Sequence, residues 1–206
     1  MASEDSSDGE PNPLLIVLSG PSGVGKDAIL SRMRELGKPY HYTVTATTRL
    51  MRDGEQDGVD YIFHSVETFD AMIERGEFIE WAVVHGNRYG VPRTQVRDAM
   101  QRGQDVILKI DVQGAATVRK LAPEAILIFV RASEPEELVQ RLKQRKSETP
   151  DAQRLRLKNA ETEMERSAEY GHVVVNVHGR LDDTIREIEG IVELERRRSP
   201  PRRVTI

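Results

Sequence analysis

Seven consecutive residues, Gly20, Pro21, Ser22, Gly23, Val24, Gly25 and Lys26, have the types and spacing to cradle phosphate. Glycine-rich turns aim successive backbone N–H groups at anionic oxygens, and a helix N-terminus behind them adds partial positive charge. Lys26 supplies a fixed cation for the β- and γ-phosphates of a nucleotide. The usual loop of this kind continues with a Ser or Thr whose hydroxyl ligates Mg2+. Here Asp27 and Ala28 follow the lysine instead. The plainer alternative is a glycine-rich turn that caps a helix, with Asp27 complementing the helix dipole.

Further along, Arg49 and Arg52 stand three residues apart among Thr45, Thr47, Thr48, Gly54 and Gly58, with Tyr61 close behind. The planar guanidinium fork suits phosphate oxygens, although such a stretch can also be a solvated loop. Glu80 lies in an apolar segment with Trp81, and Tyr89 follows after a turn. A carboxylate there can accept the N1–H and 2-amino donors of guanine, a pair that adenine lacks; Trp81 itself reads as core. Asp111 ends the apolar run 106–110. Ligands bind at the carboxyl ends of parallel strands, and an aspartate there can hold the hydration shell of Mg2+ or cap the next helix. Arg141 and Arg145 are i,i+4 neighbours that face one way, with Arg154 and Arg156 beyond them. They suit charge compensation over a moving phosphoryl group, or a solvated face.

Positioning these groups requires an alternation of strands and helices. Residues 14–19 read as a buried strand, and Ile29, Leu30, Met33 and Leu36 recur at helical spacing with Gly37 as the stop. Strands are expected at 41–45, 59–63, 78–84, 105–110, 125–130 and 173–177. Helices are expected at 66–75, 94–102, 113–120, 134–145 and 153–169, with a last one from Leu181 or Asp182. Residues 86–90 read as a turn around Asn87. Near-continuous apolar strands separated by helices mean a parallel sheet covered on both faces. Residues 46–93, rich in hydroxyls, arginines and glycines, read as an inserted small sheet.

The bulk properties narrow the class. A chain of 206 residues with 38% hydrophobic and 31% charged residues suits one compact core with small insertions. No apolar run reaches the ~20 residues of a membrane span, and the acidic, Ser-rich start has no signal core. There is no cysteine, and the five histidines have no ligand spacing. Net charge is −4, with acids at Glu4, Asp5, Asp8 and Glu10 and arginines at 196, 197, 198, 202 and 203. Both ends read as disordered tails. A cytoplasmic protein with no membrane role and no dedicated nucleic-acid binding is expected.

In this order and spacing, the motifs resemble those of guanylate kinase, a P-loop nucleoside monophosphate kinase, over nearly the whole chain except the tails. The resemblance rests on residues 20–26, the Thr47-Thr48-Arg49…Arg52…Asp60-Tyr61 block, Glu80-Trp81 with Tyr89-Gly90, Asp111 to Gly114, and Arg141…Arg145 with Arg156. It implies an α/β fold: a P-loop NTPase-type parallel sheet flanked by helices (13–45, 94–135, 171–196), a mixed α+β GMP-binding insertion (46–93) and a helical lid (136–170). Residues 1–12 and 197–206 are left as an acidic and a basic tail. It implies ATP on residues 20–28, with Asn176 near the adenine. GMP phosphate falls to Arg49, Arg52, Tyr61 and Tyr89, and guanine to Thr45 and Glu80, with Asp111 bordering that site. Lys26, Arg141, Arg145 and Arg156 would serve the transferring group. The cofactor is Mg2+ with ATP, with Asp27 and Asp111 as metal-side carboxylates; Asp27 turned to solvent is the alternative. The reaction implied is phosphoryl transfer from Mg·ATP to GMP or dGMP. A related kinase of another phosphorylated acceptor and a non-catalytic binding module stay open, as does oligomeric state. Asp27 and Ala28, Val91 and Lys109 depart from the family pattern, which has hydroxyl residues at 27, 28 and 91 and an acid at 109.

Overall fold

The structure, a computed structural model, describes residues 12–84, 86–134, 137–138, 159–160 and 162–206. A five-stranded sheet of order β2-β7-β1-β8-β9 runs through its centre, every neighbouring pair parallel. Its strands are β1 (Leu15–Ser19), β2 (His41–Tyr42), β7 (Val106–Lys109), β8 (Ile126–Ala132) and β9 (His172–Asn176). β1 is buried along its whole length, because both its faces are covered. Leu14, Ile16 and Leu18 face α1 (Lys26–Glu35) and α5 (Leu181–Arg196), packing with Ile29, Met33, Ile185 and Ile188. Leu15 and Val17 face α3 (Arg93–Gln101) and α4 (Val112–Leu121), packing with Val96, Ala99, Ala115 and Val118. Each such aliphatic side chain contributes about 1.5–3 kcal/mol by leaving water.

α1 ends where the glycine stop predicts. Gly37 takes a φ of 66°, its N–H bonds Arg34 O at 2.9 Å, and Lys38 N–H returns to Met33 O at 3.1 Å. This double closure needs a left-handed residue, which glycine adopts without strain. The same pair of bonds closes α2 (Val66–Glu74) and α3. Ser65 caps α2 by accepting from Thr68 N–H at 3.2 Å.

A second, four-stranded sheet has the order β4-β3-β6-β5, with β3 (Ala46–Thr47), β4 (Ile62–Phe63), β5 (Phe78–Val84) and β6 (Asn87–Pro92). β5 and β6 form an antiparallel hairpin whose register shifts between Phe78 and Glu80. Phe69 and Phe78 stack 4.4 Å apart behind it. A Cβ at Gly90 would lie 2.9 Å from Phe78, so the strand passes the ring only because no side chain is there.

Several expectations need correction. Residues 87–90 are strand and not turn, because cross-strand pairing with β5 runs up to Asn87. Trp81 is 43% exposed: the alternation of β5 turns it away from the core face that holds Glu80 and Ala82. The strands expected at 41–45 and 59–63 shorten to two residues each. Residues 166–169 close as a 3-10 turn and not as α-helix. Residues after α5 do not trail into solvent. Val204 and Ile206 pack on the β1–α3–α4 core, and Arg202 donates to Glu195 at 2.8 Å and to Glu124 O at 3.0 Å. The helix expected at 134–145 lies mostly outside the described residues. No described helix is long and apolar enough to cross a membrane.

Candidate functional site

β1 delivers the chain into the loop 20–25, and Gly25 in the left-handed region turns it into α1. Gly20 has a φ of 138°, and a Cβ there would stand 2.1 Å from Val130 O of β8, so no other residue fits without moving a strand. Lys26 folds back over the loop and donates to Gly20 O and, at 3.0 Å, to Pro21 O. Burial pulls its ammonium down to about 8, against the opposing pull of Asp27, Glu163 and Asp111. It therefore still carries its charge at neutral pH. Ser22 N–H donates to Glu163 at 3.3 Å, so a carboxylate of this chain stands where an anion would bind. Asn176 is buried beneath the loop, donating to Val24 O at 2.8 Å and accepting from Thr184 at 3.3 Å. Through these bonds it holds the loop in place. Ala28 is exposed on the first turn of α1.

Across the carboxyl edge of the sheet lies a cage of aromatic rings and cations. The Arg49 guanidinium sits 5.1 Å from the Tyr61 ring centre, and the Tyr61 and Tyr89 rings meet edge to face at 6.2 Å. Glu55 holds the Arg49 fork with both oxygens, at 2.7 and 3.0 Å, and accepts Arg52 N–H at 2.8 Å. The Arg52 side chain points outward, exposed. Thr45 is buried between β2 and β3, its carbonyl accepting Ile62 N–H at 2.9 Å.

Between loop and cage stand two carboxylates and an ammonium. Asp111 caps α4, accepting Gln113 N–H at 2.9 Å and Gly114 N–H at 2.8 Å. Glu80 is buried, and desolvation first, then Asp111, pushes its carboxyl up to about 8, with Val91 N–H opposing. A Cβ at Gly114 would come within 2.3 Å of Glu80 Oε2, so this helix position must be glycine for the carboxylate to lie there. Val91, expected to lack a useful hydroxyl, is fully buried and packs in the core. Lys109 reaches Asp27 Oδ1 at 2.5 Å and approaches the Tyr61 ring at 5.0 Å.

The structure thus brings together Lys26, Asp27, Asp111, Glu80, Arg49, Tyr61 and Tyr89. Arg141, Arg145 and Arg156 lie outside the described residues. Sequence reading missed Glu55 and Glu163, and noted Gly114 only as the end of the motif that begins at Asp111. Glu55 carries a weak signal, an acid continuing the three-residue spacing of Arg49 and Arg52; Glu163 carries none, because only tertiary packing sets it against Ser22.

A family model described as guanylate kinase matches residues 12–195. The chain is 45% identical over 197 residues to guanylate kinase 2, chloroplastic/mitochondrial, of Oryza sativa subsp. japonica, covering 95% of this chain and 69% of that protein. It is 44% identical over 179 residues to the guanylate kinase of Streptomyces coelicolor, covering 87% and 90%. The crystal structure of guanylate kinase from Anaplasma phagocytophilum superposes with a TM-score of 0.74 at 32% identity, over 92% of this chain and 89% of that one.

Proposed function

The chain belongs to the guanylate kinase family, and from that premise we propose how its residues carry the γ-phosphoryl group of ATP to GMP, giving ADP and GDP. The observation that supports the assignment most is Glu80. A buried carboxyl on the same sheet face as Tyr89, beside a glycine that makes room for it, is an acceptor for the two N–H donors of guanine.

The loop 20–25 and Lys26 bind the triphosphate, whose oxygens replace Gly20 O and Pro21 O around the ammonium and displace Glu163 from Ser22 N–H. Asn176 positions this loop. Arg49, Arg52, Tyr61 and Tyr89 hold the GMP phosphate, with Glu55 keeping the Arg49 fork oriented until it arrives. Thr45 and Glu80 read the base. Arg141, Arg145 and Arg156 are assigned to the transferring group on the family pattern. A GMP phosphate oxygen attacks the γ-phosphorus; the bond to the β–γ bridging oxygen breaks, and its electrons leave on ADP. The second ionisation of a phosphomonoester lies near 6, so the attacking oxygen needs no protein base at neutral pH. Positioning and electrostatics supply the rate.

Asp27 and Asp111 would hold Mg2+, which compensates charge on the β- and γ-phosphates. The donor set fits an ion that arrives with the nucleotide: no described cluster of three or more His, Asp or Glu could hold one by itself, and Mg2+ characteristically keeps several waters and takes one or two carboxylates. The test is Glu80→Gln. It should lower kcat/KM for GMP by roughly 100-fold or more, since a buried acceptor is removed from two donors, while ATP affinity stays within about threefold. Unchanged GMP turnover would contradict the assignment.

A further inference from the structure

Lys109 is the last residue of β7, opposite Leu18 of β1, two residues before the phosphate loop begins. Its ammonium touches one group from each half of the site: Asp27 on the first turn behind the loop, at 2.5 Å, and the face of Tyr61 in the cage, at 5.0 Å. Both members of the ion pair are departures from the family pattern, an acid where a hydroxyl residue is usual and a base where an acid is usual. Together the two departures remove one net negative charge from this spot and put a cation where the family pattern has an acid.

The pair is lopsided. Lys109 keeps only 19% of its side chain exposed, whereas Asp27 keeps 69%. Asp27, mostly in water, loses little by leaving, whereas the buried ammonium needs another anion in its place. The ammonium is held by its own packing and by the ring beneath it. Two phosphates must approach each other in this space, and the repulsion between them needs a cation placed where they meet.

We propose that Lys109 is a substrate-binding cation for the acceptor phosphate and the transferring phosphoryl group, and that Asp27 is its counter-ion only while the donor loop is empty. The triphosphate, arriving beside Asp27, replaces it as the anion nearest Lys109, and the freed ammonium turns to the acceptor. Donor and acceptor binding are thereby coupled through one side chain. The inference rests on the reading of residues 49, 61 and 89 as the acceptor site.

Calorimetric titration of GMP into wild type, Lys109→Met, Lys109→Arg and Asp27→Asn tests it, each with and without a saturating non-hydrolysable ATP analogue and Mg2+. A hydrogen bond to a charged group is worth about 1.5–3 kcal/mol, roughly ten- to a hundredfold in affinity. Lys109→Met should therefore weaken GMP at least ~10-fold with the analogue present and by less than ~3-fold without it, and Lys109→Arg should recover most of the loss. Asp27→Asn, measured without analogue or metal, should bind GMP several-fold more tightly than wild type, because Lys109 is already free. If Lys109→Met matches wild type in both conditions, or Asp27→Asn binds GMP no tighter than wild type, the inference is wrong. Should wild type itself fail to bind GMP, the acceptor reading beneath it falls instead. Thermal melts identify a variant that has merely lost its fold, and the Asp27→Asn arm stands without altering Lys109.

Discussion

A carboxyl group pushed up to about 8 holds its proton at neutral pH until something offers more than water did. Guanine offers two N–H donors, and only the ionised form of Glu80 can accept both. GMP binding should then release a proton from Glu80. The sign follows: the free protein prefers the protonated form below about 8 and the complex prefers the carboxylate, so affinity rises with pH up to about 8 and levels off above it. The slope approaches tenfold per pH unit. Titrations between pH 6.5 and 9 should show this rise in wild type and a flat profile in Glu80→Gln; a flat profile in wild type would contradict it. The reading of Glu80 needed only its residue type and its place in an apolar strand. Its burial and its glycine neighbour were not legible, because α4 reaches it only in the folded chain. Trp81, read as core from its hydrophobicity, shows the reverse limit: the period of β5, once Glu80 faces inward, leaves its neighbour outside.

At the scale of elements, the site is made by strand ends. β1 and β7 run parallel and end together, so the phosphate loop, Lys109 and Asp111 emerge side by side. The N-terminus of α4 then brings Gly114 against β5 of the second sheet. Gly114→Ala places a methyl within 2.3 Å of Glu80 Oε2, and one of the two must shift. The flexible carboxylate is the one to give, and it leaves the position proposed for reading guanine. GMP affinity should fall by roughly 10-fold, the scale of one charged hydrogen bond, with ATP affinity unchanged; equal losses for both nucleotides would mean that the helix itself had moved. The parallel core was legible because its central strands are largely apolar and its helices keep their 3.6-residue spacing. The second sheet was legible only as a change of texture. Its strands are two to seven residues long and held by cross-strand partners such as Thr47 with Tyr89, a pairing no local pattern displays.

For the whole molecule, the chain returns on itself after α5. Arg202 bridges Glu195 and Glu124 O, and Val204 and Ile206 cover the core face beneath α3 and α4. Charge alone suggested a solvated tail; the alternation of Arg203 and Thr205 with Val204 and Ile206 was the overlooked sign of an amphipathic strap. Deleting residues 199–206 should cost about 2 kcal/mol of stability, from two half-buried aliphatic side chains and one partly buried ion pair. That corresponds to a drop in Tm of roughly 4–8 °C for a chain of this size, with turnover at 25 °C unchanged; an unaltered Tm would show that the strap contributes nothing. All these roles presuppose one reaction, transfer of a phosphoryl group from ATP to the phosphate of GMP. The most direct measurement is ADP formation with Mg2+ and ATP when GMP, AMP, UMP and ribose 1,5-bisphosphate are offered in turn. The account predicts turnover with GMP far above the other three. Equal turnover with AMP, or none with GMP in folded protein, would contradict it.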